Sequence, residues 1–244
     1  MEKHSIYIGT SGWLYKHWRN TFYPADLKVK EEFAYYAGKF STVEINSTFY
    51  GVPSDQTLMN WKKNSPPHFV YTVKASRFIT HLKKLHNTTQ ILHSFIHKME
   101  LLGSKLGVIL VQLPPYLKAD TKLLETFLKE LPKTNRFVIE FRNAEWYTAE
   151  VFNLLKKHNV GFCIYELAGH LSPLEITADF VYLRLHGPTS DKYRGNYSGQ
   201  ALKKWADQCK IWLQTKDVYV YFDNDEQGYA AFNALKLEQL VNSE

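Results

Sequence analysis

Cysteine is almost absent: Cys163 and Cys209 are the only two in 244 residues. Two separated cysteines make neither a disulfide framework nor a metal knuckle, so stability must come from burial of a core. Both fall in apolar patterns and read as core residues. Long apolar runs are missing too. The longest, around Leu106 to Leu113, is far shorter than the roughly 20 residues a membrane-spanning helix needs. Met1-Glu2-Lys3-His4-Ser5 runs straight into a strand pattern, without the apolar stretch of a secretory signal. No membrane partner and a cytoplasmic setting are the expectations. Low-complexity tracts and internal repeats are lacking. No Gly-x-Gly-x-x-Gly follows a strand and no Gly-x-x-x-x-Gly-Lys occurs, which counts against nucleotide-cofactor folds. His-x-His and His-Glu-x-x-His spacings are absent, so no metal ligands are assigned and no cofactor is expected. A divalent cation held by carboxylates with Asp223 or Asp225 stays open as an alternative. No Ser or Cys sits in a nucleophile elbow, which argues against acyl transfer.

What is present is a globular composition, 45% hydrophobic and 22% charged, with 30 Lys and Arg against 24 Asp and Glu for a net charge of +6. That excess is mild and does not by itself name a partner. The pattern is more telling. Arg136-Phe137-Val138-Ile139-Glu140-Phe141-Arg142-Asn143 is an apolar run that ends abruptly in opposite charges. Val, Ile and Phe in succession suit a parallel strand covered on both faces. Glu140 and Arg142, two apart, should share one face, where they either pair or meet a ligand. Similar segments recur at Ile6 to Gly9, Thr42 to Ile45, Phe69 to Val73, Gly107 to Leu113, Val160 to Tyr165, Phe180 to Leu185 and Val218 to Phe222. Helical patterns separate most of them: from about Glu31 through Phe33, Tyr36, Ala37 and Phe40, at Gln56 to Lys63, at Ile91 to Leu102, and after an Asp120 N-cap. Others carry Val151, Leu154 and Leu155, cover Ala201 to Leu213, and begin near Tyr229. The connection Leu167 to Asp179 has little helical character. Repeated strand and helix units in this length predict an α/β fold, a single (β/α)8 TIM-type barrel domain over residues 1–244.

Gly9-Thr10-Ser11-Gly12-Trp13, Val43-Glu44-Ile45-Asn46 with Phe49-Tyr50, Gln112-Leu113-Pro114-Pro115, Glu140-Phe141-Arg142, Arg184-Leu185-His186-Gly187 and Tyr221-Phe222-Asp223-Asn224-Asp225 resemble the YecE-like family, domain of unknown function seventy-two. The resemblance runs from about residue 6 to 240 and implies a TIM-type barrel; it supplies no reaction. Two departures stand out: Glu166 occurs where Asp is expected, and Asp223 precedes Asn224 where paired Asn is more usual. Both alter reach or charge and leave the roles of Glu166 and Asp223 open.

In such barrels the carboxyl ends of the strands carry the site. The candidate catalytic residues there are Glu140 or Glu44 as base, His186 as acid or proton carrier, and Arg142 as an anion contact. Trp13, Tyr15, Trp18, Asn46, Tyr50, Lys74, Gln112, Arg184 and Asn224 are the candidate substrate-binding residues. Lys16, Arg19, Arg77, Lys83, Lys192 and Arg194 also follow strands, so a positive mouth is expected. The alternative for Glu140, Arg142 and Arg184 is a buried ion-pair network; for the loop aromatics, among them Trp146 and Tyr193, it is packing. The expectation is a barrel enzyme of hydrolase or lyase type acting on an anionic small molecule or nucleic acid at the mouth. A non-catalytic nucleic-acid-binding module, or a scaffold for a protein partner, is the alternative. The assembly state is not legible.

Overall fold

The computed structural model describes residues 4–243. Met1 to Lys3 and Glu244, part of the expected domain, lie outside the described residues. The strands, in chain order, are β1 (Ile6–Thr10), β2 (Thr42–Ile45), β3 (Val70–Lys74), β4 (Leu106–Gln112), β5 (Arg136–Glu140), β6 (Gly161–Leu167), β7 (His170–Leu171), β8 (Phe180–Leu185) and β9 (Asp217–Phe222). The helices are α1 (Glu32–Ala37), α2 (Ser47–Tyr50), α3 (Asp55–Asn64), α4 (Thr89–Met99), α5 (Thr121–Lys129), α6 (Ala149–His158), α7 (Gly199–Trp212) and α8 (Tyr229–Asn242). The sheet order is β1-β9-β8-β6-β5-β4-β3-β2, with β7 set against β6. Neighbouring long strands run parallel, as in β1 with β9, β4 with β5, and β8 with β9. This is the (β/α)8 TIM-type order expected from the repeated units. Among the described residues no helix is long and apolar enough to cross a membrane.

Two compact units share the chain. One takes in the chain up to Glu44, Ile164–Ser172, and the chain from Phe180 onward; the other is Ile45–Cys163 with Pro173–Asp179. Each buries apolar side chains. In the first, β8 is buried along its whole length, and α7 turns Leu202, Ala206, Cys209 and Trp212 inward. In the second, α5 buries Leu124, Phe127 and Leu128. Full burial of such side chains stabilises by about 1.5–3 kcal/mol each. Asp120 caps α5 as expected, its carboxylate accepting from Leu123 N at 2.9 Å. Thr148 and Ser198 cap α6 and α7 in the same way.

One expectation changes locally, and two connections gain detail. The first helix stops at Ala37, leaving Phe40 in the following turn; Gly38 takes its C-cap, satisfying carbonyls of the last turn. The basic segment after β3 forms a single π-helical turn, Phe78–Leu82, because Ile79 and Thr80 are drawn into the core. The stretch after β6, expected to have little helical character, turns back as β7, pairing Glu166 with Leu171 and Leu167 with His170, and among the described residues no helix separates β6 from β8.

Among the described residues the sheet order ends on β1 at one side and β2 at the other. A side chain links these two strands. The Tyr36 hydroxyl accepts from Thr10 N at 3.1 Å and Thr10 Oγ1 at 2.9 Å, and donates to Thr42 O at 3.0 Å. Gly9 makes the approach possible, since a Cβ there would stand 2.5 Å from Thr42 O. Tyr36→Phe keeps the buried ring and strands the groups around the lost hydroxyl. We expect it to lower unfolding free energy by about 1–3 kcal/mol in urea titration; a change below about 0.5 kcal/mol would show that the seam does not depend on this hydroxyl.

Candidate functional site

In the first unit the strand ends bring three carboxylates and an arginine together. Glu44, one residue from the end of β2, is fully buried. Its Oε1 accepts from Arg184 Nη2 at 2.6 Å and Ser11 Oγ at 2.6 Å. Its Oε2 accepts from Arg184 Nε at 2.9 Å and Tyr182 Oη at 2.6 Å. The bidentate fork and the two hydroxyls satisfy a carboxylate that burial would otherwise penalise. Alternation along β8 explains the cluster, because Tyr182, Arg184 and His186 lie two apart on one face. The Tyr182 hydroxyl is pushed well up, first by burial and then by the Glu44 charge.

His186 is held from both sides. Its Nε2 lies 3.3 Å from Arg184 Nη1, and its Nδ1 lies 3.0 Å from Asp223 Oδ2. A guanidinium only donates, so Nε2 is the bare nitrogen and Nδ1 carries the proton given to Asp223. Arg184 Nη2 reaches the same Asp223 oxygen at 3.4 Å. Asp225 lies two residues beyond; its Oδ1 accepts from Trp18 Nε1 at 2.6 Å and its Oδ2 lies 2.8 Å from His17 Nε2. Burial pushes the Asp225 carboxyl up to about 6 from 3.8, with the Asp223 charge adding to the shift and Trp18 and His17 opposing it. Tyr15, whose hydroxyl bonds the Ser11 carbonyl, is raised by burial and then by Asp223, Asp225 and Glu44. The local field is negative, and the expected positive mouth is not built from these groups.

A loop from Pro188 to Ser198 covers the histidine. The Tyr193 ring lies 5.4 Å from the His186 ring, at φ 64. The loop base is tied down: Asn224 Nδ2 donates to Gly195 O and to Asn233 Oδ1, both at 2.8 Å, and Gly187 N donates to the Tyr197 hydroxyl at 3.1 Å. Gly187, at φ 116, admits the Arg194 carbonyl, which a Cβ would meet at 2.1 Å. Asn224, expected to bind substrate, is thus tied through its Nδ2 to the loop base. Glu166 is half-buried and its carboxyl is raised by burial, against hydrogen bonds from Trp205 and Tyr197.

Trp13 and Trp18 are buried, Trp13 beside Phe33 at 5.2 Å and Trp18 beside Phe22 at 5.0 Å. Both rings are packed against neighbouring aromatics. Arg19, expected at a positive mouth, is paired with buried Glu32 at 2.9 Å.

The other expected residues belong to the second unit. Glu140 and Arg142 do meet, through Oε1 and Nε, and Cys163 Sγ lies 3.7 Å from Glu140 Oε2. The carboxylate is fully buried and the Arg142 side chain is only 9% exposed. Gln112 stands opposite Glu140 in the sheet register. Asn46 has helical dihedrals, so strand alternation stops at Ile45, and its buried Oδ1 has no hydrogen-bond partner among the described residues. Lys74 Nζ lies 4.5 Å from the Phe49 ring centre, Tyr50 is exposed, and Trp146 stacks on Phe141 at 4.9 Å. Among the described residues no group of three or more His, Cys, Asp or Glu is arranged to hold a metal ion.

Ser11, His17 and Tyr182 complete the acidic cluster without being among the candidates, while Asp223 and Asp225 enter the sequence reading only as the alternative carboxylates for a cation. Asp223-Asn224-Asp225 right after a core strand was the available signal; only the fold joins it to His17 and Trp18.

The strand order defines a TIM-type barrel protein, and its first unit carries an acidic cluster at the strand ends. The chain belongs to the family described as protein of unknown function DUF72, whose model matches residues 7–244. It is similar to the UPF0759 protein YunF of Bacillus subtilis (strain 168), at 24% identity over 274 residues, covering 98% of this chain and 95% of YunF. The UPF0759 protein YecE of Escherichia coli (strain K12) is 26% identical over 143 residues, 58% of this chain and 50% of YecE. A solved structure of a DUF72 family protein from Thermotoga maritima MSB8 superposes with a TM-score of 0.89 at 28% identity, covering 98% of this chain and all of that one.

Two measurements probe the cluster. Replacing Glu44 by Gln leaves Arg184 without its buried countercharge and is expected to cost about 3–5 kcal/mol in chemical unfolding; a near-neutral change would make the pair dispensable. For Asp225, the folded state keeps its proton to higher pH than the unfolded chain. Stability is therefore unpenalised below pH about 4, falls as pH rises towards 6, and stays lower above that. Asp225→Asn should gain about 1–2 kcal/mol on wild type across this window, allowing for partial exposure. A pH-independent difference would mean that the carboxyl is not raised.

Proposed function

We propose that this protein is an enzyme of hydrolase or lyase type that moves a proton to and from an anionic, phosphate-bearing substrate, with Asp223 as base and Asp225 as acid. The observation that supports this most directly is the inequality of the two carboxyls beyond β9. Asp223 takes donors from Arg184 and His186 on one oxygen, which suits a charged acceptor. Asp225 is raised to about 6 and carries its proton into the range where a general acid works. Paired groups with opposed environments are the usual signature of assigned acid and base roles.

His186 and Arg184 act as positioning residues in this scheme, and Glu44 holds Arg184. With all its lone pairs engaged, Glu44 is better suited to anchoring than to accepting a proton. Glu140 and Arg142 have the character of a compensated buried pair. Cations for the substrate's charge are available in the same unit on the loop over His186, where Lys192 and Arg194 flank Tyr193. Among the described residues the carboxylate partners of Arg194 are exposed, Glu226 at 3.5 Å and Asp191 at 3.8 Å, and an anion could displace them.

The test is a panel of sugar phosphates, phosphomonoesters and phosphodiesters assayed for turnover and for thermal stabilisation of the wild type. One class should raise the melting temperature, with the shift reduced in Lys192→Ala/Arg194→Ala. Asp223→Asn and Asp225→Asn should each lower turnover by roughly a hundredfold or more while remaining folded. Unchanged turnover in Asp223→Asn would remove the base assignment.

A further inference from the structure

The second unit exposes aromatic rings where a protein surface usually hides them. Tyr50 is 76% exposed, Tyr116 60% and Phe78 40%, with Leu82 beside them at 61%. They come from α2, from the π-helical turn after β3, and from the loop after β4. Ring contacts and one hydrogen bond knit them into one surface. Phe49 lies 5.0 Å from Tyr50 and 4.9 Å from His81, and the Tyr116 hydroxyl donates to the His81 carbonyl at 3.4 Å. Cations are interleaved: Lys83 Nζ lies 5.8 Å from the Phe78 ring centre and Lys84 Nζ 5.3 Å from that of Tyr116. Arg77 is exposed next to Phe78. Among the described residues Arg77, Lys83 and Lys84 have no carboxylate partner.

Exposed rings alternating with unpaired cations match one ligand chemistry: flat aromatic bases strung on a phosphate chain. A duplex hides its base faces, so rings held out in this way favour an unpaired strand. A protein partner would be expected to bring its own carboxylates to an apolar patch, and a neutral sugar would leave the cations without purpose. We propose that the surface formed by Tyr50, Phe78 and Tyr116 with Arg77, Lys83 and Lys84 binds single-stranded nucleic acid by base stacking and phosphate contact. It uses none of the acid–base residues and stands independently of the catalytic reading.

Fluorescence anisotropy with a labelled oligothymidylate of roughly 12 nucleotides, and with a duplex of the same length, tests it. The single strand should bind and weaken as salt rises, with the duplex bound more weakly. Tyr50→Ala/Tyr116→Ala should weaken binding by roughly tenfold or more at an unchanged melting temperature. Lys83→Gln/Lys84→Gln should flatten the salt dependence. Absence of binding at low salt, duplex preferred over single strand, or a tyrosine double variant that binds as the wild type does would each overturn the proposal. Asp223→Asn should bind the oligonucleotide unchanged, so loss of turnover and loss of binding are separable outcomes.

Discussion

The buried pairing of Glu44 with Arg184 is the constraint around which the first unit is arranged. A carboxylate and a guanidinium removed from water are tolerable only with their remaining lone pairs and protons satisfied. Here Ser11, Tyr182, His186 and Asp223 meet that demand. Those four come from beyond β1, from β8 and the residue that follows it, and from beyond β9, so the ion pair also sets where these strand ends stand. The tautomer of His186 follows directly, because a donor on Nε2 leaves Nδ1 to carry the proton.

Around this centre the carboxylates differ by environment rather than by type. Glu44 is saturated with donors and enclosed. Asp223 is held on one oxygen, with its side chain 18% exposed. Asp225 lies deep enough to be raised but keeps two partners. The closing of the seam between β1 and β2 by the Tyr36 hydroxyl shows the same economy: a side chain bridges the two strands at which the sheet order of the described residues ends.

Part of this was legible in the residues. The strand cores, the Asp120 cap and the shared face of Glu140 and Arg142 follow from periodicity; that the two pair rather than meet a ligand stood only as the alternative. The acidic character of the site was not legible, because counting basic residues after strands overlooks which of them are neutralised. Arg19, Arg142 and Arg184 all find carboxylates. Trp18 reads as a loop aromatic in the chain, yet it packs under Phe22 and Tyr36 and turns its N–H to Asp225. Residue type announces a ring that is able to stack, and only packing decides whether a face remains open.

The sequence by itself determined the alternation of strands and helices, the barrel order that this repetition implies, and the family. These depend on local periodicity, which each segment carries alone. The tertiary structure decided which charges cancel, which carboxyl keeps its proton, and which rings stay exposed. Those properties depend on the field and the burial created by residues far apart in the chain, and Glu44 with Arg184, 140 positions apart, has no local signature to read.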